Sequence, residues 1–260
     1  MEKLLVIKIG GNVIDDEAKL SSFLDDFAGI KEKKILVHGG GKMATRIAEQ
    51  AGIPQQMVNG RRITDAETLK IIVMVYAGYI NKNIVALLQS KNCNAFGLAG
   101  ADGNAVLAHK RTGSDTDYGF AGDIDKVNSR LLKDLLEQDI VPVLSPITHD
   151  QKGSLLNTNA DTLAQEIASA LSPAFETSLI YCFEKPGVLM NADDDKSVIR
   201  NINAETYIDL KNKNIISAGM LPKMENAFNA LNKGVRNTRI GKADDLGQLI
   251  RGLTGTAINS

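Results

Sequence analysis

Two aliphatic runs within the first forty residues, Leu4-Leu5-Val6-Ile7-Lys8-Ile9 and Lys34-Ile35-Leu36-Val37-His38, each end in a glycine cluster, Gly10-Gly11 and Gly39-Gly40-Gly41. A short apolar run without polar alternation reads as a strand buried on both faces, as happens where helices cover both sides of a parallel sheet. Helical patterns follow both clusters, over residues 15–30 and 41–52. The chain is thereby directed to an α/β fold with a largely parallel sheet. The same glycines bear on chemistry, because backbone without Cβ atoms lets N–H groups converge on an anion such as phosphate. One such loop is ordinary turn chemistry. Two of them, with Lys8 just ahead of the first, exceed what tight strand–helix turns require.

The pattern continues along the chain. Residues 53–63 read as a hairpin around Asn59-Gly60, a strong turn dipeptide. Thr64 and Glu67 have the spacing of a capping box, opening a helix that runs to about residue 90. Its segment Ile71-Ile72-Val73-Met74-Val75 is apolar all round, as expected of a helix buried on more than one side, within a subunit or at a dimer contact. Residues 93–124 read as short strands with glycine-rich turns, then a helix over 128–138 and a strand over 140–144, whose Pro142 argues for a lesser rank in the sheet. Ser172-Pro173 ends the helix that begins near Asn157 and divides the chain into lobes of residues 1–172 and 173–260. Strands over 178–183 and 236–240 and helices over 204–211 and 220–233 complete the reading, with no internal repeat.

Composition removes several function classes. With 260 residues the chain can bury a full core, and a net charge of −1 offers no footprint for nucleic acid or an anionic membrane. Two cysteines, Cys93 and Cys182, lie far apart, which argues against a disulfide framework or zinc site and fits a reducing cytoplasm. Three histidines, His38, His109 and His149, are too scattered to suggest a metal centre. The longest apolar run, residues 71–80, is interrupted by Gly78 and reads as too short to span a bilayer.

Two further segments carry chemistry. Asn157-Thr158-Asn159-Ala160-Asp161 concentrates two amides and a carboxylate at a helix start, with Thr158 as the expected N-cap and Asp161 in the first turn. Asn59-Gly60-Arg61-Arg62-Ile63-Thr64-Asp65 brings arginine, which grips carboxylates bidentately, beside the hairpin. Lys223 stands one position off the apolar stripe Met220, Met224, Phe228, Leu231. Rival motifs fail on inspection. Gly41-Lys42-Met43 lacks the hydroxyl of a Walker A loop, and Gly39-x-Gly41-x-x-Ala44 lacks the acidic residue of a dinucleotide fold about twenty positions on. His38-Gly39-Gly40-Gly41 is like an esterase oxyanion loop, but no G-x-S-x-G elbow accompanies it.

Taken in order, Lys8-Ile9-Gly10-Gly11, His38-Gly39-Gly40-Gly41, the Asn59–Asp65 segment, Asn157-Thr158-Asn159-Ala160-Asp161 and Gly219-Met220-x-x-Lys223 resemble the amino acid kinase family over essentially the whole chain. The arginine and Asn-x-Asn-Ala-Asp segments point to its acylglutamate branch. The resemblance implies a three-layer αβα sandwich with two lobes, the first binding an acylated amino acid and forming a homodimer, the second binding ATP with Mg²⁺ carried by the nucleotide. It implies phosphorylation of the γ-carboxylate of N-acetyl-L-glutamate in arginine biosynthesis. By motif, Gly40, Gly41, Arg62 and Asn157 would hold the substrate, and Lys8 and Lys223 would stabilise the transferring phosphoryl group, oriented by Asp161. Nucleotide contacts would fall on Gly10, Gly11, Glu184, Lys185, Gly187, Val188, Leu189, Ile215, Ile216 and Ser217.

Departures from the family pattern qualify this. Glu184-Lys185-Pro186-Gly187 stands where relatives carry Asp-x-x-Gly, with consequences for nucleotide or metal placement. Arg61 occupies a position more often apolar; it reads either as pointing to solvent or as an extra cation for an acyl group with its own carboxylate, such as succinyl. Arginine-inhibited members carry a helix before the first strand, so an arginine-insensitive dimer is expected. The alternatives are a kinase acting on N-succinyl-L-glutamate or N-acetyl-aminoadipate and, in another class, a non-catalytic effector-binding protein of the same fold.

Overall fold

The computed structural model describes residues 1–58, 61–113, 116–216 and 220–259. Strand β1 (Lys3–Ile9) is flanked by strands on both sides. Its Leu4 and Val6 enter one apolar core, while Leu5, Ile7 and Ile9 enter another. A strand with two apolar faces needs a helical layer on each. After β1 come α1 (Gly11–Ile14), α2 (Glu17–Gly29), β2 (Lys33–His38) and α3 (Gly41–Gln50). The small antiparallel pair β3 (Met57–Val58) and β4 (Arg61–Arg62) follows, its Asn59-Gly60 turn lying outside the described residues. One continuous helix then comprises α4 (Ala66–Val73), a π-helical stretch Met74–Ile80, and α5 (Asn81–Ser90).

The chain continues through β5 (Ala95–Leu98), β6 (Val106–Lys110), β7 (Ala121–Val127), α6 (Ser129–Glu137), β8 (Val141–Leu144), β9 (Ile147–His149), β10 (Leu155–Thr158) and α7 (Ala160–Leu171). The last part holds β11 (Glu176–Phe183), β12 (Asn201–Ile202), α8 (Ala204–Asn212), α9 (Leu221–Asn232), β13 (Asn237–Lys242), α10 (Leu246–Ile250) and β14 (Thr256–Ile258). Eight strands form one sheet in the order β12-β14-β13-β11-β1-β2-β8-β5, with β6, β7, β9 and β10 in a separate closed barrel. Every neighbouring pair in the large sheet is parallel except β13–β14. Helices α6, α7 and α9 cover one face, and α2, α4, α5 and α10 the other. This is the α/β fold with a largely parallel sheet that the strand–helix alternation implies, in the three-layer sandwich form that the family resemblance implies. Each fully buried Leu, Ile or Phe contributes about 1.5–3 kcal/mol, so the two cores dominate its stability.

Several local expectations need correction. Thr158 does not cap α7: it ends β10, and Asn159 is the N-cap, its side chain accepting from the N–H groups of Asp161 and Thr162 at 2.9 and 3.0 Å. Thr64 does not cap α4; Asp65 does, accepting from the Thr68 N–H at 2.7 Å, while Glu67 pairs with Lys70. Pro142 sits on an interior strand rather than an edge. The Val141 and Ser145 N–H groups donate to β5, so the Pro142 nitrogen faces β2, whose pairing with β8 begins only at Val143. The helix of residues 66–90 is not buried all round, since Met74 and Tyr79 are 58% and 59% exposed. The ten-residue apolar run is only part of it: Ala66–Ser90 is a helix of 25 residues, long and apolar enough by length and composition to cross a membrane. Its opposite side, with Ile72, Tyr76, Ile80, Ile84 and Leu88, is packed into the core.

Candidate active site

Ile9 of β1 is in register with His38 of β2 and Cys182 of β11, so the three strands end together and their following loops share one edge of the sheet. In parallel sheets ligand sites form at that carboxyl edge. Lys8 lies there between Val37 and Tyr181, buried at 8% exposure. Its Nζ is 2.6 Å from Asp161 Oδ1, and the Lys223 Nζ is 2.9 Å from Asp161 Oδ2. The Asn159 cap sets the turn that carries Asp161, and the Tyr181 hydroxyl donates to the Asp161 carbonyl at 3.0 Å. Pro222 in the first turn of α9 is compatible with a helix start and presents Lys223. Burial alone would raise the Asp161 carboxyl, but the two ammonium groups overcome that and hold it at about 2. The carboxylate is therefore ionised near pH 7, and it spaces two like charges at a shared point.

On one side of this triad a cavity is lined by Gly39, Gly40, Gly41, Arg61, Arg62, Tyr76, Asn157 and Asn159, with Met57, Ala121, Pro146, Thr158 and Ala160 completing it. Gly40 has φ +153°, and a Cβ there would lie 2.3 Å from Ile80 Cδ1, so glycine is required on both counts. The loop is fixed from beneath. Buried His38 donates from Nδ1 to the Gly39 carbonyl at 2.8 Å, and its Nε2 accepts from Asn81 Nδ2 at 3.1 Å. Burial pulls the His38 imidazole down to about 4, so it is neutral near pH 7. Arg62, 7% exposed, donates to Gln55 Oε1, to the Gly41 carbonyl at 3.1 Å and to Thr45 Oγ1 at 2.8 Å. Asn157 Nδ2 donates to Thr64 Oγ1 at 3.0 Å, leaving its carbonyl oxygen for a ligand. Arg61 does not simply point to solvent: it is half-buried on the cavity wall, 4.0 Å from Asp123, which also pairs with Arg111 at 2.7 Å.

On the other side, Phe183, Glu184, Lys185, Gly187, Val188, Leu189, Ala192, Ile215, Ile216, Met220 and Lys223 line a second cavity. The Val188 N–H donates to Thr256 Oγ1 at 2.8 Å, and Gly187 packs so closely that a Cβ would meet that oxygen at 2.7 Å. Lys185 is tied to Asp195 at 3.1 Å.

Of the residues singled out from the sequence, Lys8, Asp161 and Lys223 are brought together, Gly40, Gly41, Arg62 and Asn157 share the first cavity, and Glu184, Lys185, Gly187, Val188, Leu189, Ile215 and Ile216 share the second. Gly10 and Gly11 line neither. Gly10 bonds to the Cys182 carbonyl at 3.0 Å, and a Cβ on Gly11 would lie 3.9 Å from the Gly41 nitrogen, so the two glycine turns abut. Ser217 falls outside the described residues. Tyr76, Pro146, Phe183 and Met220 were not foreseen as lining residues. Tyr76 alone left a signal, a hydroxyl in an otherwise aliphatic helix segment.

The sequence profile of the amino acid kinase family matches residues 3–242. An acetylglutamate kinase from Cytophaga hutchinsonii is 57% identical over 251 residues, covering 96% of this chain and 95% of that one. Among solved structures, smu.665 from Streptococcus mutans UA159 superposes with a TM-score of 0.82 at 29% identity, covering 99% of this chain and 98% of the other. Carbamate kinase from Giardia lamblia, bound to AMP-PNP, shares the fold at a TM-score of 0.70 and 14% identity, with coverage of 99% and 98%.

Proposed function

The chain belongs to the amino acid kinase family, and from that premise we infer that it transfers the γ-phosphoryl group of ATP to the γ-carboxylate of N-acetyl-L-glutamate, a step of arginine biosynthesis. The observation that carries the reading is the Lys8–Asp161–Lys223 cluster, which adjoins both cavities: Ala160, beside Asp161, lines the first, and Lys223 lines the second. The first cavity is the acylated amino acid site, with Arg62, Asn157 and the Gly40-Gly41 amides as its polar contacts. The second suits ATP, its aliphatic residues facing the base and its lysines the phosphates. The first cavity is lined by residues between 39 and 160 and the second by residues between 183 and 223, which supports lobes of residues 1–172 and 173–260.

The substrate γ-carboxylate has a pKa near ~4 and is ionised at neutral pH, so no general base is needed. A carboxylate oxygen attacks the γ-phosphorus, the bond from that phosphorus to the β,γ-bridging oxygen breaks, ADP leaves, and an acyl phosphate forms without any proton transfer. The barrier lies in bringing two anions together, and charge spreads over the phosphoryl oxygens in a loose transition state. Lys8 and Lys223 neutralise that charge, and Asp161 keeps both ammonium groups in place before substrate arrives. Mg²⁺, held by the phosphate oxygens of the nucleotide, supplies further neutralisation when bound. The exposed apolar residues Met74 and Tyr79 support a homodimer contact on the Ala66–Ser90 helix, and we place the protein in the cytoplasm with its substrates.

Arg61 favours one second reading within the same reaction. A cation on the cavity wall, shared with Asp123 and Arg111, suits an acyl group that ends in a carboxylate, as in N-succinyl-L-glutamate. A hydroxamate assay with MgATP tests both, since hydroxylamine traps acyl phosphates. Colour with an acylglutamate that disappears in Lys8→Ala is the expected result, and the better of the two acyl groups identifies the substrate. No colour with any acylated amino acid, despite ATP binding, would instead indicate a non-catalytic effector-binding protein.

A further inference from the structure

The helix Ala66–Ser90 is α-helical at both ends but π-helical over the seven residues Met74–Ile80. A π turn is rare inside an α-helix and is frequently found at functional sites. Its cause here is visible in the burial pattern. Thr68, Ile72, Tyr76, Ile80, Ile84 and Leu88 are all buried, a strict spacing of four over twenty residues. In an unbroken α-helix, positions four apart precess by ~40° per step, so such a stripe would wind far round the helix. The wider π turn takes out much of that drift and keeps the stripe against the protein.

The stripe places two residues at the glycine loop. A Cβ on Gly40 would lie 2.3 Å from Ile80 and 3.1 Å from the Tyr76 ring. The Tyr76 hydroxyl and Arg62 Nη2 lie 3.8 and 3.9 Å from the point where a Gly41 side chain would begin, so phenol and guanidinium flank the same part of the loop. A guanidinium can only donate and a phenol can donate its O–H, so the two groups together offer an acceptor ligand two different donors. Tyr76 is 6% exposed and lines the first cavity. Burial pushes the phenol up while Arg62 pulls it down, with a net rise, so it stays a neutral donor.

We propose that Tyr76 is a substrate-binding residue: its O–H donates to the carboxylate that Arg62 grips, and the π-helical stretch is what brings it there. This deepens the reading of the first cavity as the acylated amino acid site and rests on it. The hydroxyl adds a second, directional donor beside the charge of Arg62, so the pair reads a carboxylate rather than any anion.

The test is steady-state kinetics of Tyr76→Phe, which keeps the ring and its packing on Gly40. The expected result is a KM for the acylated glutamate raised about tenfold or more, as for loss of a hydrogen bond to a charged group, with the KM for ATP and the melting temperature unchanged. Run against the analogue whose α-carboxylate is a primary amide, wild type and Tyr76→Phe should differ by less than about threefold. An unchanged KM for the acylated glutamate in an active Tyr76→Phe enzyme overturns the proposal, as does an equal rise with both substrates. If the wild type itself makes no acyl phosphate, the reading of the cavity falls first.

Discussion

Around the first cavity Arg62, Gln55, Thr45 and the Gly41 carbonyl, and likewise Asn157 and Thr64, are tied by hydrogen bonds, and His38 and Asn81 hold the loop from below. The second cavity sets an aliphatic wall of Val188, Leu189, Ile215, Ile216 and Met220 opposite Glu184, Lys185 and Lys223, with Thr256 bracing the Val188 N–H and Asp195 holding Lys185. A network of paired donors fixes geometry and rejects ligands that leave one partner unsatisfied. An aliphatic wall instead gives affinity with less directional demand. On the proposed function, the first cavity, lined by residues between 39 and 160, is the one built to discriminate between substrates.

The largest effect should come where the two cavities meet. Lys8→Ala is expected to lower kcat by about a thousandfold with ATP affinity nearly unchanged, because it removes charge neutralisation needed only in the transition state. Single-turnover acyl phosphate formation measures this, and a drop in ATP affinity of similar size would move Lys8 into ground-state binding.

Acid should separate the cavities next. The His38 pKa is lowered from 6.5 to about 4 by burial, so its stability contribution is complete above pH 6.5 and is lost as pH falls toward 4, a difference of about 3 kcal/mol. His38→Gln should flatten urea-unfolding stability over that window, and acylglutamate binding should weaken in wild type before ATP binding does. A stability profile that stays steep in His38→Gln would place the acid-sensitive group elsewhere.

Arg62→Lys keeps the charge but loses the planar fork, and the KM for the acylated amino acid is expected to rise roughly 100-fold. The KM for ATP, fitted from the same initial rates, should stay within about threefold. On the other side, Thr256→Val leaves the buried Val188 N–H without its acceptor and should raise the KM for ATP about tenfold, sparing the acylated amino acid. If Thr256→Val affected both substrates equally, the contrast between the cavities would be lost.

Much of this arrangement was legible in the chain. The doubly apolar run of β1 implied two helical layers, and both exist, because a parallel interior strand has no polar face to betray. Lys8, Asp161 and Lys223 were identifiable together only through the family resemblance of their segments, since 62 residues separate the last two and each alone has an ordinary surface or capping reading. Cap positions slipped by one at Thr64/Asp65 and Thr158/Asn159, where adjacent polar residues compete and only backbone geometry decides. The closed barrel of β6, β7, β9 and β10 was hidden because short strands carry little periodicity. The π-helical stretch was equally hidden, and with it the place of Tyr76: a spacing of four looks like an ordinary apolar helix until its partners are known.

The position of β1 has a consequence for how the molecule comes into being. Strand β1 finds one neighbour close by in the chain at residues 33–38, but its other neighbour is β11, residues 176–183. For most of synthesis an apolar strand therefore presents an open edge, the kind of surface on which chains pair wrongly. Contacts of such long sequence separation also slow folding. Lys8, at the end of that strand, reaches its final surroundings only when the sheet closes around it, so catalytic competence and completion of the fold arrive in the same event.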